Sequence, residues 1–286
     1  MQIFESVPNI SEGRDRQKIE ALLAVLRPIE NLKILDHSSD PDHNRSVFTY
    51  IGTREAILAA GLALVKKAAE ILDLNSHTGV HPRLGVVDVL PVVPVFQSTM
   101  ADAVILAHQL GESIEKFGIP VVFYEHSALR PEFRNLADVR RKSYNIKVHK
   151  TAGLVCVGAR DYLIAYNINL AVADVSTAKM LAGKIRESGG GLRGVKALGL
   201  YLKSRGLAQV SMNLTEPGVT GPEEVYARVK TLAEEAGMLV QEEELVGVLP
   251  ALVVREAQKL SEDIEAKIAL LKKHGAVEKA EEEKHN

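Results

Sequence analysis

The same succession of elements, strand, helix, strand, strand, helix, strand, can be read twice along this chain, and that order leaves few folds open to it. In the first pass IFESVPNI alternates like a strand. Ser11, Glu12 and Gly13 then lead into a helical stripe of Ile19, Leu22, Leu23 and Leu26, which Pro28 ends. Residues 32–38 and 47–52 read as strands on either side of a polar loop, SSDPDHNRS. Thr53 stands where a helix cap is needed, ahead of Ile57, Gly61, Leu64, Ala68 and Ile71 on one face, and the apolar run 84–95 closes the series. A further helix capped by Thr99 and ending at Gly118 gives way to the strand IPVVFYE.

The second pass has strands at 162–170, 195–202 and 207–214, with a helix capped by Ser176 and running to 188 after the first of them. A helix with Pro222 in its first turn ends near Gly237, and residues 238–243 supply the last strand. Each pass is a split βαβ, ferredoxin-like unit. The expected fold is α+β: two ferredoxin-like βαββαβ subdomains with antiparallel sheets, residues 1–161 and 162–249, packed around a cleft. Beyond them, residues 250–286 hold a C-terminal helix with Val253, Ala257, Leu260, Ile264, Ile268 and Leu271 on one stripe, and a charged end, EKAEEEKHN, expected to fray. At 286 residues the chain is longer than one core usually organises, as two units require. An antiparallel plait covers one sheet face with helices, so the bare faces can supply each other or enclose a ligand site.

Charge narrows the partners. Lys and Arg number 35 against 37 Asp and Glu, a balance that argues against nucleic acid and anionic membrane surfaces. No apolar run is long enough for a bilayer span, and the N-terminus lacks a basic region followed by an apolar stretch, so a cytoplasmic location is expected. The single cysteine, Cys156, excludes an intrachain disulfide and a zinc site built from several thiolates, and its valine neighbours suit a small buried hydrophobe. Trp is absent, which removes the usual base-stacking platform.

Histidine is crowded: of nine, four fall between His37 and His81. HTGVHPRLGVVD, residues 77–88, lies in an irregular connection, where His81, pinned by Pro82, could hydrogen-bond loop backbone or act as a general acid and base. A metal site built on His77 and His81 at helical spacing, with His37 or His43 as third ligand, is opposed by Gly79 and Pro82. LDHSSDPDHNRS, residues 35–46, brings Asp36 and Asp40 as carboxylates for a cationic group, and Asn44 and Arg45 for a carboxylate; a solvated turn rich in Asp and Asn fits the same composition. In HKTAGLVCVGARDYLIAYNINL, residues 149–170, small residues permit close backbone approach, while Asn167 and Asn169 share one face of a strand, where they suit either a ligand or pairing between subdomains.

Together with SVPNISEG, GGLRGVKALG and AQVSMNL, these segments resemble the formiminotransferase family, the glutamate formimidoyltransferases, in collinear order over most of residues 1–250. The resemblance implies transfer of a formimino group from N-formimino-L-glutamate to N5 of tetrahydrofolate in histidine degradation. It further implies two α/β subdomains around a folate tunnel, a homodimer, and no metal. The family's catalytic histidine falls on His81, with Asp36 or Asp40 placed to stabilise the amidine as it gains charge. Arg45, Arg83 and Arg160 suit the glutamyl carboxylates of both substrates, and His37, Asn44, His149, Thr151, Gly153, Asn167 and Asn169 complete the expected substrate and folate site. Two places depart from the family pattern: the connection before HKTAG is short, with Arg140, Arg141, Lys142 and Lys147 around it, and Val80 stands where a Glu usually precedes the histidine. A non-catalytic relative binding a folate or another anionic metabolite, and a metal-dependent hydrolase using the clustered histidines, are the competing functions.

Overall fold

The structure, a computed structural model, describes residues 1–142 and 146–282, with side chains through residue 270. Residues 143–145 of the short connection, and the last residues of the charged end expected to fray, lie outside the described residues.

The first unit contains β1 (Ile3–Ser6), β2 (Asn9–Ile10), α1 (Arg16–Ala24), β3 (Leu32–Asp40), β4 (Arg45–Gly52), α2 (Arg54–Ile71) and β5 (Val87–Phe96). Pro8 breaks the opening strand, and its two pieces share one place between β4 and β5. The resulting antiparallel order, β3, β4, β1 with β2, then β5, is the ferredoxin-like plait. The chain then widens the sheet. After α3 (Met100–Glu115), β6 (Val121–Glu125) and α4 (Leu136–Lys142), β7 (Val155–Ala159) inserts between β5 and β6, parallel to both, giving seven strands. The helices start where the sequence places their caps: Thr53 accepts from Ala56 N, and Thr99 forms a capping box with Asp102.

The second unit is a plain ferredoxin-like plait of β8 (Ile164–Leu170), α5 (Val175–Ile185), β9 (Val195–Leu202), β10 (Leu207–Leu214), α6 (Pro222–Glu235) and β11 (Val240–Val246), with strand order β11, β8, β10, β9. Asp174 rather than Ser176 caps α5, because its carboxylate reaches the backbone N–H groups of both Ser176 and Thr177. The last strand also starts later than its composition suggests. Gly237, at φ 71, turns the chain out of α6, and Met238 N still bonds back to Ala233 O.

One face of the first sheet is sealed by α1, α2 and α3 over Phe4, Phe48, Tyr50, Leu90 and Val92. The opposite face is covered at its two ends among the described residues. The long helix α7 (Pro250–Glu282) returns from the second unit to lay Val253, Ala257 and Ile264 on Ile3 and Ile51, while Phe133 and Val139 cover Val89, Tyr124 and Cys156 at the other end. Between these covers the sheet looks toward the helix-free face of the second sheet. That face carries Asn167, Asn169 and Gln209, because Ile164, Tyr166, Ile168 and Leu170 alternate with them toward α5 and α6.

The segment SSDPDHNRS is not the long loop its polarity suggests. Strands β3 and β4 continue through it, Ser39 pairs with Ser46 by their hydroxyls at 2.8 Å, and Asp40 stands opposite Arg45, leaving a turn at residues 41–44. Polar residues suit this strand end because His37 and Ser39 are exposed there and Ser38 and Asp40 only partly buried.

Candidate active site

The site is built on two loops locked together by one guanidinium. Arg83 donates to His81 O from Nε (3.1 Å), to Asn44 O and the His77 ring from Nη1, and to His43 O and His81 O from Nη2 (2.8 and 2.7 Å). Its five N–H groups are thereby occupied, so Arg83 clamps the connection 77–83 onto the turn 41–44. Asn44, in the left-handed region at φ 44, completes the lock by accepting from Gly13 N at 2.9 Å and donating to Thr78 O at 2.9 Å. Gly79 lies under the clamp, where a Cβ would meet His43 O at 2.3 Å and Arg83 Nη2 at 2.6 Å.

The clamp presents His81 to the cleft. Its Nδ1 lies 3.0 Å from Pro82 O, and its ring stacks on that of His43, with centroids 5.8 Å apart and planes at 24°. Protein packed around the imidazole, then the charges of Arg45 and Arg140, hold its pKa well below the ordinary 6.5, so the ring is neutral at pH 7. His43 is lowered as well, chiefly by burial and then by Arg45. Burial brings Arg45 down to about 10, with Asp88 opposing and Arg140 and Arg83 adding, so it keeps its charge. Arg140 has a partner in Asp88, at 2.7 Å, and the same carboxylate accepts from Leu84 N. Arg45 makes no side-chain hydrogen bond or ion pair among the described residues, and an unpaired cation in such surroundings favours an incoming anion.

Across the cleft, the second sheet contributes amides and carboxylates. His43 Nε2 lies 2.9 Å from Gln209 Oε1, Gln209 Nε2 donates to Asn169 Oδ1 at 3.0 Å, and Asn169 Nδ2 donates to Glu242 Oε1 at 2.9 Å. Asn167 Nδ2 donates to Glu244. A second tie joins the units at the turn, where Asp42 accepts from Ser204 N and its hydroxyl. Asn167 and Asn169 thus belong to a polar face that takes part in subdomain pairing and also borders the site.

Other candidates are dispersed by the two-residue period of a strand. Asp36 and Asp40 stand opposite Thr49 and Arg45 on the cleft face, and Asp40 also accepts from His43 N at 2.7 Å. His37 lies on the opposite face, exposed and edge-on to Phe48, and lines a shallow surface pocket with Leu23 and Leu26. In the HKTAG string, His149 Nδ1 accepts from Ala152 N at 3.0 Å, Thr151 O accepts from Leu74 N, and Gly153, at φ 71, comes so close to Leu84 O that a Cβ would sit 2.2 Å away. These residues form the backbone buttress behind the connection 77–83. Arg160 leaves β7 on the cleft side, near Glu5, whose carboxyl burial raises to about 7 while Arg160 pulls it down. Cys156 is fully buried, and burial pushes its thiol up, as suits a core residue. No group of three or more His, Cys, Asp and Glu side chains converges as a metal site among the described residues. Asp88, Gln209 and Glu5 are absent from the sequence-derived set, and His43 and Arg140 enter it only as a possible metal ligand and as part of a basic cluster. Asp88 and Arg140 do fall inside segments singled out there, and Gln209 lies within AQVSMNL.

Two family models cover the chain: the formiminotransferase domain N-terminal subdomain over residues 3–153 and the formiminotransferase domain over residues 165–279. The chain belongs to the formiminotransferase family. The second match runs through most of α7, the helix that the sequence resemblance leaves outside. Glutamate formimidoyltransferase of Thermoplasma acidophilum is 38% identical over 91% of this chain and 92% of its own length. The Streptococcus pyogenes enzyme of the same name is 39% identical over 87% and 90%. The formimidoyltransferase-cyclodeaminase of Gallus gallus aligns over 52% of its length at 35% identity, so this formiminotransferase chain corresponds to one part of that larger protein. No helix among the described residues is long and apolar enough to cross a membrane.

Proposed function

We propose that this formiminotransferase is a glutamate formimidoyltransferase that moves the formimino group of N-formimino-L-glutamate to N5 of tetrahydrofolate, a step of histidine breakdown, with His81 as base and then acid. The observation that carries the reading is a neutral imidazole held at the cleft beside an unpaired arginine, within a chain that matches enzymes of this name over most of its length.

As N5 attacks the amidine carbon it must lose a proton, and His81 accepts it. The glutamate nitrogen must gain a proton to depart, and the same ring returns it, leaving no net change on the protein. Lowered basicity in the free protein is compatible with this role. A substrate carboxylate seated on Arg45 cancels part of the positive field that depresses His81, so substrate binding moves the imidazole back toward a working value. Asp36 and Asp40, on the cleft face, are suited to balance the positive amidine, and Arg160 is a second carboxylate partner. Arg83 serves the same reaction by holding the His81 backbone.

His81→Ala is expected to keep the fold and lower turnover of formiminoglutamate with tetrahydrofolate by about 10²- to 10⁴-fold. Full activity in that variant, followed by mass-spectrometric product analysis, would remove His81 from the mechanism.

A further inference from the structure

The bond between His43 and Gln209 joins side chains 166 residues apart, one from each subdomain, and both are enclosed: His43 is 4% exposed and Gln209 0%. Its polarity can be derived from the far end. Glu242, which also receives Arg205 Nη2 at 2.6 Å, can only accept as a carboxylate, so Asn169 must present its amide nitrogen to it. The Asn169 oxygen then faces Gln209, which must offer its own nitrogen, and the Gln209 oxygen is left for His43. His43 therefore carries its proton on Nε2 and a lone pair on Nδ1. A second proton is opposed by burial and by Arg45, and favoured by Asp40, Gln209 and Glu244. Around the stacked His81, the groups that face it are Arg45, Arg140, the Pro82 carbonyl and His43 itself.

We propose that His43, fixed in one tautomer by Gln209 of the second subdomain, is a positioning residue for His81, so that the catalytic ring is oriented only when the two subdomains are joined. This rests on the assignment of His81 as base and acid. The second subdomain thereby contributes to the chemistry through a relay of neutral amides. A charged partner in place of Gln209 would instead add its own field to the ring.

The test is a double-mutant cycle in the full chain with two readouts. Gln209→Leu removes the acceptor while filling similar space, and His43→Phe keeps an aromatic ring against His81 without a hydrogen bond. Gln209→Leu is expected to lower kcat about tenfold in the wild-type background and less than about twofold in the His43→Phe background, since the pair acts as a unit. Equal losses in both backgrounds would overturn the proposal. The second readout needs no turnover: nitrogen NMR of the histidine rings should find His43 as the Nε2–H tautomer, becoming mixed in Gln209→Leu. The His81 titration should move toward the ordinary histidine value in Gln209→Leu and stay in place when the same change is made in the His43→Phe background. An Nδ1–H tautomer in the wild type, or a His81 titration indifferent to Gln209, would overturn the proposal even if activity fell. A wild-type protein that fails to transfer the formimino group, yet shows these ring signatures, would count against the assigned reaction and leave the coupling of the two rings established.

Discussion

Glu5→Gln tests the least expected titratable group on the cleft face. Glu5 stands in β1, where Phe4 points into the helix-covered core and Glu5 toward the opposite side, with Arg160 and Tyr162 as its charged and phenolic neighbours. It is 4% exposed and makes no side-chain hydrogen bond among the described residues, so ionisation is costly and the carboxyl rises from the ordinary 4.5 to about 7. A raised acid pKa means that the folded state binds the proton more tightly than the unfolded chain. The stability it confers is full below about pH 4.5 and is lost as pH climbs through about 7. The whole penalty is about 3.4 kcal/mol, and about 2.5 kcal/mol of it develops between pH 5 and pH 8. Glutamine keeps the shape and cannot ionise. Urea unfolding of both proteins at the two pH values should therefore find Glu5→Gln more stable than the parent by about 3 kcal/mol at pH 8 and by less than about 1 at pH 5. A stability difference that does not change with pH would refute the assignment of a protonated carboxyl to this site.

Two further substitutions address the scaffold around His81. Gly79→Ala drives a methyl into His43 O and the Arg83 guanidinium, so it should displace the connection 77–83 and cost more than tenfold in kcat/KM, with a thermal midpoint close to the parent's; unchanged kinetics would show that the clamp is not needed. Asp88→Asn leaves Arg140, whose Nε is already buried without a partner, with no counter-charge, and should lower unfolding stability by about 3 kcal/mol in denaturant titration; a loss under about 0.5 would mean the pair is dispensable.

The plait was legible because its signals are local. Thr53 and Thr99 cap helices where a hydroxyl precedes an apolar stripe, and the period of Ile57, Gly61, Leu64 and Ala68 matches the buried face of α2. What eluded local reading depends on partners distant in the chain. Polar residues such as Ser39 and Asp40 look like a loop until their pairing with Ser46 and Arg45 of β4 is known, and the place of β7 between β5 and β6 depends on strands that local patterning does not connect. Likewise the stripe on α7 says that the helix packs; the apolar patch of Ile3 and Ile51 that receives it is some two hundred residues upstream.

The candidate site divides along the same line. Composition alone also fits His81 to a backbone-bonded loop and Asp40 to a solvated turn, so it is the resemblance to the formiminotransferases that singles them out, and the fold leaves both on the cleft. His37 could not be separated from them by composition, since one residue along a strand reverses the face, and only the pairing of His37 with Phe48 tells which way it points. Arg83 illustrates the converse: an arginine two residues from His81 invites a role in binding carboxylates, and the structure shows its five N–H groups directed at carbonyls and His77. The proposed anion site then rests on Arg45, which has no ion-pair partner among the described residues and lies on the strand that follows the turn gripped by Arg83. On the proposed reading one loop holds the proton-transfer group, one strand end holds the charge, and the clamp ties them together, so disturbing Arg83 should alter binding and turnover together.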